Sequence, residues 1–124
     1  MTNPARPPLS GMTILIVEDE FLIALEAQRI VEDAGASAIL ASTLMQARVH
    51  LASGTRIDAT LLDLRLGRDD ALPLARELHS KGTPVVIASG FDPGVGLPSV
   101  PVVAKPYRDA DLIAAILAVC GPMP

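Results

Sequence analysis

Five short, nearly unbroken apolar runs alternate with segments of helical spacing, and few folds accommodate that alternation. The runs cover residues 13–17, 37–40, 59–64, 85–88 and 100–104. All but the second are dense in Val, Ile or Leu, as strands buried on both faces must be. Between the first two runs, Ile23, Ala27, Ile30, Val31 and Ala34 share one helical face, and Gly35 is placed to end that helix. Leu44, Ala47 and Leu51 repeat the pattern behind a cap at Ser42 or Thr43, with Gly54 as the stop. Leu74, Ala75 and Leu78 form a third stripe, with Pro73 in the first turn, where proline is tolerated. Asp69 and Asp70 are the expected caps of that helix. Leu112, Ile116 and Val119 form the last stripe, capped by Asp109.

Strands alternating with helices imply right-handed crossovers and a parallel sheet. Five such strands in 124 residues predict an α/β fold: a single doubly wound, flavodoxin-like (βα)5 domain with sheet order 2-1-3-4-5. Residues 1–11 are expected to be a disordered lead-in, 12–120 the domain and 121–124 a frayed C-terminal end. The stretch 91–99 holds two prolines and two glycines. That density opposes helix strongly, so the fourth helix is expected to be shortened or missing.

Composition enters where it excludes functions. Phe21, Phe91 and Tyr107 are the only aromatic residues, so the core must be aliphatic. A net charge of −4 with no Lys/Arg cluster argues against a nucleic-acid partner. Cys120 stands alone, so no internal disulfide can form; a reducing compartment fits, and its apolar surroundings suit a packed small side chain. His50 and His79 fall on predicted helices and read as solvated surface. The N-terminus lacks the apolar core of a signal peptide. The longest apolar run, 112–120, is far too short to span a bilayer, so a cytoplasmic protein without a membrane partner is expected.

In this architecture ligands collect beyond the carboxyl ends of the strands. Strand 1 ends in Val17-Glu18-Asp19-Glu20, strand 3 in Leu62-Asp63-Leu64, strand 4 in Ala88-Ser89-Gly90 and strand 5 in Ala104-Lys105-Pro106. With order 2-1-3-4-5 these groups converge on one patch. Three crowded carboxylates, Glu18, Asp19 and Asp63, are unfavourable without a cation nearby. A hard divalent ion with oxygen ligands, Mg²⁺ above all, answers that need. Lys105 adds a fixed positive charge and Ser89 a hydroxyl donor. The set suits a transferring phosphoryl group, with a carboxylate as nucleophile. Taken alone, Glu18, Asp19 and Glu20 read equally well as acidic residues favouring the first helix's N-terminus. Asp63 is harder to explain away, because an acid among Leu61, Leu62 and Leu64 on a central strand is costly without a partner.

From about Thr13 to Val119 this arrangement resembles the receiver domains of two-component response regulators. The resemblance implies that Asp63 is the phosphoacceptor, that Asp19 binds Mg²⁺ directly and Glu18 through its water shell, and that Asp63 and the Arg65 carbonyl complete the metal's protein ligands. Ser89 would be the switch hydroxyl, and Lys105 would pair with the phosphoryl group beside a Lys105–Pro106 bond that is often cis in such domains. A histidine kinase or histidine phosphotransfer protein would supply the phosphate, and a downstream protein would read it. The domain would be no enzyme beyond its own phosphorylation and dephosphorylation. Ala88-Ser89-Gly90-Phe91 and Leu66-Gly67 further resemble stand-alone receivers paired with HWE-type histidine kinases.

Three positions depart from the family pattern. Gly67 stands where many receivers have proline, and Val102 where many have Tyr or Phe. Fifteen residues separate Ser89 from Lys105, fewer than usual. The alternative reading is a phosphorylation-independent interaction module of the same fold. Enzymes on related folds fit less well: no glycine-rich turn follows strand 1, and Arg65 stands where a haloacid-dehalogenase-type phosphatase places a second aspartate.

Overall fold

A computed structural model of the chain describes residues 6–90 and 97–120. Its elements run β1 (Thr13–Val17), α1 (Phe21–Asp33), β2 (Ser37–Ala41), α2 (Leu44–Ala52), β3 (Ala59–Asp63), β4 (Arg65–Leu66), β5 (Asp69–Asp70), α3 (Leu72–Ser80), β6 (Val85–Ser89), β7 (Val102–Ala104) and α4 (Asp109–Cys120). Five strands form one parallel sheet in the order β2-β1-β3-β6-β7, and β4 pairs with β5 as a separate antiparallel hairpin. With the hairpin set aside, this is the expected 2-1-3-4-5 order.

Side-chain alternation along the strands divides the core into two layers. Ile14, Ile16 and Leu61 pack with Ala27 and Ile30 of α1 and Ile116 of α4. Leu15, Val17 and Leu62 point the other way, toward Ala47 of α2 and Leu74 and Leu78 of α3. A fully buried Leu or Ile contributes roughly 1.5–3 kcal/mol relative to exposure, so a small aliphatic core suffices without aromatic residues. The helix ends follow the sequence reading in part. Thr43 caps α2 by accepting from the Gln46 N–H at 3.1 Å. Gly35, at φ +100°, follows the last turn of α1 in a conformation that favours glycine.

Several expectations need correction. Asp69 and Asp70 do not cap α3: the hairpin pairs Asp69 with Leu66 and Asp70 with Arg65, the N-cap is Ala71 without a side-chain cap bond, and Asp70 Oδ1 accepts from the Leu72 N–H at 2.9 Å. Asp109 is the first residue of α4, and its carboxylate is held by Arg29 of α1. The last strand begins at Val102, because Pro101 has no N–H for the ladder; its carbonyl accepts from Ile87 at 2.9 Å. The lead-in is not wholly outside the domain: Leu9 is completely buried in the α1/α4 layer, and its N–H donates to the Ala34 carbonyl at 2.8 Å. Most of the stretch expected to lack a fourth helix, residues 91–96, lies outside the described residues, as do residues 1–5 and 121–124; residues 97–100 form a turn.

Candidate functional site

The alternation that builds the α1/α4 layer also builds the site. Ile14 and Ile16 lead in steps of two to Glu18, Ala59 and Leu61 to Asp63, and Val103 to Lys105. Register then aligns them. Val17 pairs with Leu62, which sets Glu18 beside Asp63, and Asp63 pairs with Ala88. Ser89 pairs with Ala104, and the Lys105 N–H donates to the Ser89 carbonyl at 3.0 Å. Three ionisable side chains thus continue an apolar face of the sheet to its carboxyl edge.

The Lys105 ammonium lies between two buried carboxylates, donating to Asp63 Oδ2 at 2.9 Å and to Glu18 Oε1 at 3.1 Å. Glu18 and Asp63 keep only 3% and 7% of their surface exposed, so neither is dispersed by water. One cation against two such carboxylates leaves a surplus of negative charge. Glu18 bears it: burial first, and then the hydrogen bond and charge of Asp63, push its carboxyl up to about 7. Burial works against the Lys105 ammonium, but its bonds to Asp63 and Glu18 outweigh that, and its pKa ends above the ordinary lysine value. Tyr107 flanks the cluster; burial, and then the charges of Glu18 and Asp63, raise its phenol.

Main-chain amides hold one oxygen of each carboxylate of the cluster. The Arg65 N–H donates to Asp63 Oδ1 at 3.1 Å, the Glu20 N–H to Glu18 Oε2 at 3.2 Å and the Gly67 N–H to Asp19 Oδ2 at 2.8 Å. The helix-capping reading of the acidic run therefore loses ground. Glu20 is the N-cap residue of α1 yet makes no side-chain cap bond, and no acidic residue lies in the first turn. Glu18 turns instead to Lys105, and Asp19 to the Gly67 amide in the cleft.

Glu18, Asp19 and Asp63 each place a carboxylate oxygen so that all three lie within 4.8 Å of one another. Oxygen donors this close, bearing more negative charge than Lys105 neutralises, suit a small hard cation. Asp19 and Asp63 open on a cleft of about 620 Å³ lined also by Arg65, Ser89, Gly90 and Lys105 among others, with Glu18 buried behind Lys105. Glu18, Asp19, Asp63, Arg65, Ser89 and Lys105 thus meet at one place. Sequence reasoning missed the hydrogen bond from Gly67, although the glycine itself stood out as a departure from the family pattern. The Lys105–Pro106 bond is cis.

No protein-family model matches the chain. The transcriptional regulatory protein PdtaR of Mycobacterium tuberculosis is 27% identical over 129 residues, and the chain spans 61% of that protein's length. A response regulator receiver protein from Sinorhizobium medicae is 28% identical, covering 88% of this chain and 94% of that one, with a TM-score of 0.78. A CheY-like receiver domain from Methylobacillus flagellatus is 26% identical over 87% of this chain and 98% of its own, with a TM-score of 0.73. SdrG from Sphingomonas melonis is 31% identical over 89% and 97% of the two chains, again at a TM-score of 0.73. The chain's structural neighbours are thus response-regulator receiver domains, and it shares their fold.

Proposed function

We infer that the chain is a phosphoryl-accepting receiver domain of the response-regulator type, with Asp63 as the residue that takes the phosphate. The observation that carries this reading is the Lys105 ammonium bound to the buried Asp63 carboxylate at the floor of an open cleft. That carboxylate is a nucleophile with a fixed cation beside it.

A histidine kinase or histidine phosphotransfer protein presents phosphohistidine to the cleft. An Asp63 oxygen attacks phosphorus in line, the P–O bond forms as the P–N bond to imidazole breaks, and the imidazole leaves with the electron pair. Lys105 offsets charge on the carboxylate and then on the incoming phosphoryl oxygens. The Arg65 N–H fixes the second oxygen of Asp63, so the carboxylate meets phosphorus already oriented. Ser89 lines the same cleft and supplies a hydroxyl to a phosphoryl oxygen. Glu18, Asp19, Asp63 and the Arg65 carbonyl would hold Mg²⁺, which when bound supplies further charge neutralisation at the phosphoryl group. The product carries roughly −1.5 to −2 of new charge, if an acyl phosphate behaves like other phosphorylated residues. Ser89 and Lys105 reorganise around it and bias the neighbouring loops. Water later hydrolyses the acyl phosphate.

On this reading residues 12–120 act as the receiver, which catalyses only its own modification and signals by binding a partner or by phosphorelay. The likeness of residues 88–91 and 66–67 to stand-alone receivers points to an HWE-type kinase. No helix among the described residues is long and apolar enough to cross a membrane, and the cytoplasm is the proposed location. The test is intact mass after incubation with acetyl phosphate and Mg²⁺, for the wild type and Asp63→Asn. A labile gain of one phosphoryl group in the wild type alone is expected. No gain in either, with a cognate kinase also failing, would favour the phosphorylation-independent interaction module.

A further inference from the structure

We propose that the main-chain amide of Gly67 is a positioning group for the cation site, orienting Asp19 before the metal arrives; this rests on the receiver reading above. Gly67 lies at the turn of the β4–β5 hairpin, and its N–H reaches across the cleft to Asp19 Oδ2 at 2.8 Å. Asp19 is exposed, unlike Glu18 and Asp63, so packing alone does not fix its carboxylate. A hydrogen bond to one oxygen removes that freedom and leaves the other oxygen for the cation. Groups that hold a metal ligand in this way commonly change affinity 10- to 100-fold when lost.

The hairpin is suited to this task. Its base is closed by the Ala71 N–H on the Leu64 carbonyl at 2.8 Å, which ties it to the end of β3. Its first residue, Arg65, donates to Asp63 in the same manner, so one hairpin holds two of the three clustered carboxylates. Gly67 sits at φ +61°, a left-handed conformation that favours glycine. Proline at this position would have no N–H to donate, and its φ is locked near −65°. A residue that keeps its N–H and tolerates left-handed backbone, as glycine does, is therefore what permits the contact.

A Cβ added at Gly67 would meet Asp19 Oδ2 at 3.9 Å, an ordinary contact. Gly67→Asn therefore fits: asparagine tolerates left-handed backbone and keeps the N–H. Gly67→Pro removes the N–H. Mg²⁺ affinity of the wild type and both variants is measured by titration calorimetry. The expected result is Gly67→Asn within about twofold of the wild type and Gly67→Pro weaker by about tenfold. Equal or tighter binding by Gly67→Pro overturns the proposal, as does an equal loss in Gly67→Asn. Because Gly67→Pro also forces φ away from +61° and so disturbs the hairpin, the wild-type Gly67 amide resonance decides: it should exchange slowly with solvent and shift in Asp19→Asn. An amide that exchanges freely, or ignores Asp19→Asn, overturns the proposal. A wild type that binds no Mg²⁺ strikes the cation reading itself; a wild type that binds while Gly67→Pro binds equally well strikes this inference alone.

Discussion

Glu18 sits where its charge is least welcome. It is buried, it faces Asp63, and it shares one ammonium with that neighbour. With its carboxyl pushed up to about 7 from 4.5, the folded chain holds a proton that the unfolded chain has released. Between those values stability falls as pH rises, and above about 7 the full penalty is present. Glu18→Gln removes the charge and keeps the shape. In metal-free buffer at pH 8 it should melt higher than the wild type by several degrees, about 1 kcal/mol, and the gap should close toward pH 4.5. Equal melting temperatures at both pH values would show that the carboxylate carries no such burden. Lys105 is the counterpart. Lys105→Met leaves two buried carboxylates without their cation and should slow phosphorylation by acetyl phosphate at least tenfold while raising the Glu18 carboxyl further, since the Lys105 hydrogen bond now holds it down. A wild-type rate would remove Lys105 from the mechanism.

Among the elements, the legible ones carried periodic signals and the illegible ones did not. The five sheet strands announced themselves as aliphatic runs, and period-two alternation carried those runs directly into Glu18, Asp63 and Lys105. The site was readable for that reason. The β4–β5 hairpin has two residues per strand and a polar composition, so no periodicity marks it. It was visible only as an odd glycine. The apolar run 100–104 overstates the last strand by two residues, because Pro101 is apolar yet cannot donate to a ladder. The start of α2 is legible as a Ser42 or Thr43 cap before an amphipathic stretch, and the structure selects Thr43. Thr43→Ala should lower stability by about 1 kcal/mol in urea denaturation without altering phosphoryl acceptance. A change well below half that size would mean the Gln46 N–H finds equivalent solvation without the cap.

At the scale of the whole molecule, the sheet is sandwiched by α1 and α4 on one side and α2 and α3 on the other, and the chemistry lies on the seam at one end. The N-terminal stretch belongs to this body more than its sequence suggests. Its prolines and lack of pattern read as a lead-in, yet Leu9 completes the α1/α4 layer and its neighbour Pro7 approaches Gly35, where a Cβ would lie 2.8 Å from the proline ring. A single buried leucine outside any periodic segment leaves no signal in the sequence. Leu9→Ala should cost about 2–4 kcal/mol by denaturant unfolding, as for other core leucines, and a loss under 1 kcal/mol would return residues 7–11 to the periphery.

The central claim is that one carboxylate, Asp63, takes the phosphate. Borohydride reduction of the phosphorylated chain, followed by peptide mass mapping, tests it most directly, because an acyl phosphate is reduced to the corresponding alcohol while other phosphorylated side chains are not. The reduced alcohol should appear at position 63 and be absent in Asp63→Asn. Reduction at Glu18 or Asp19, or a phosphate that survives borohydride on a serine or histidine, would contradict the account.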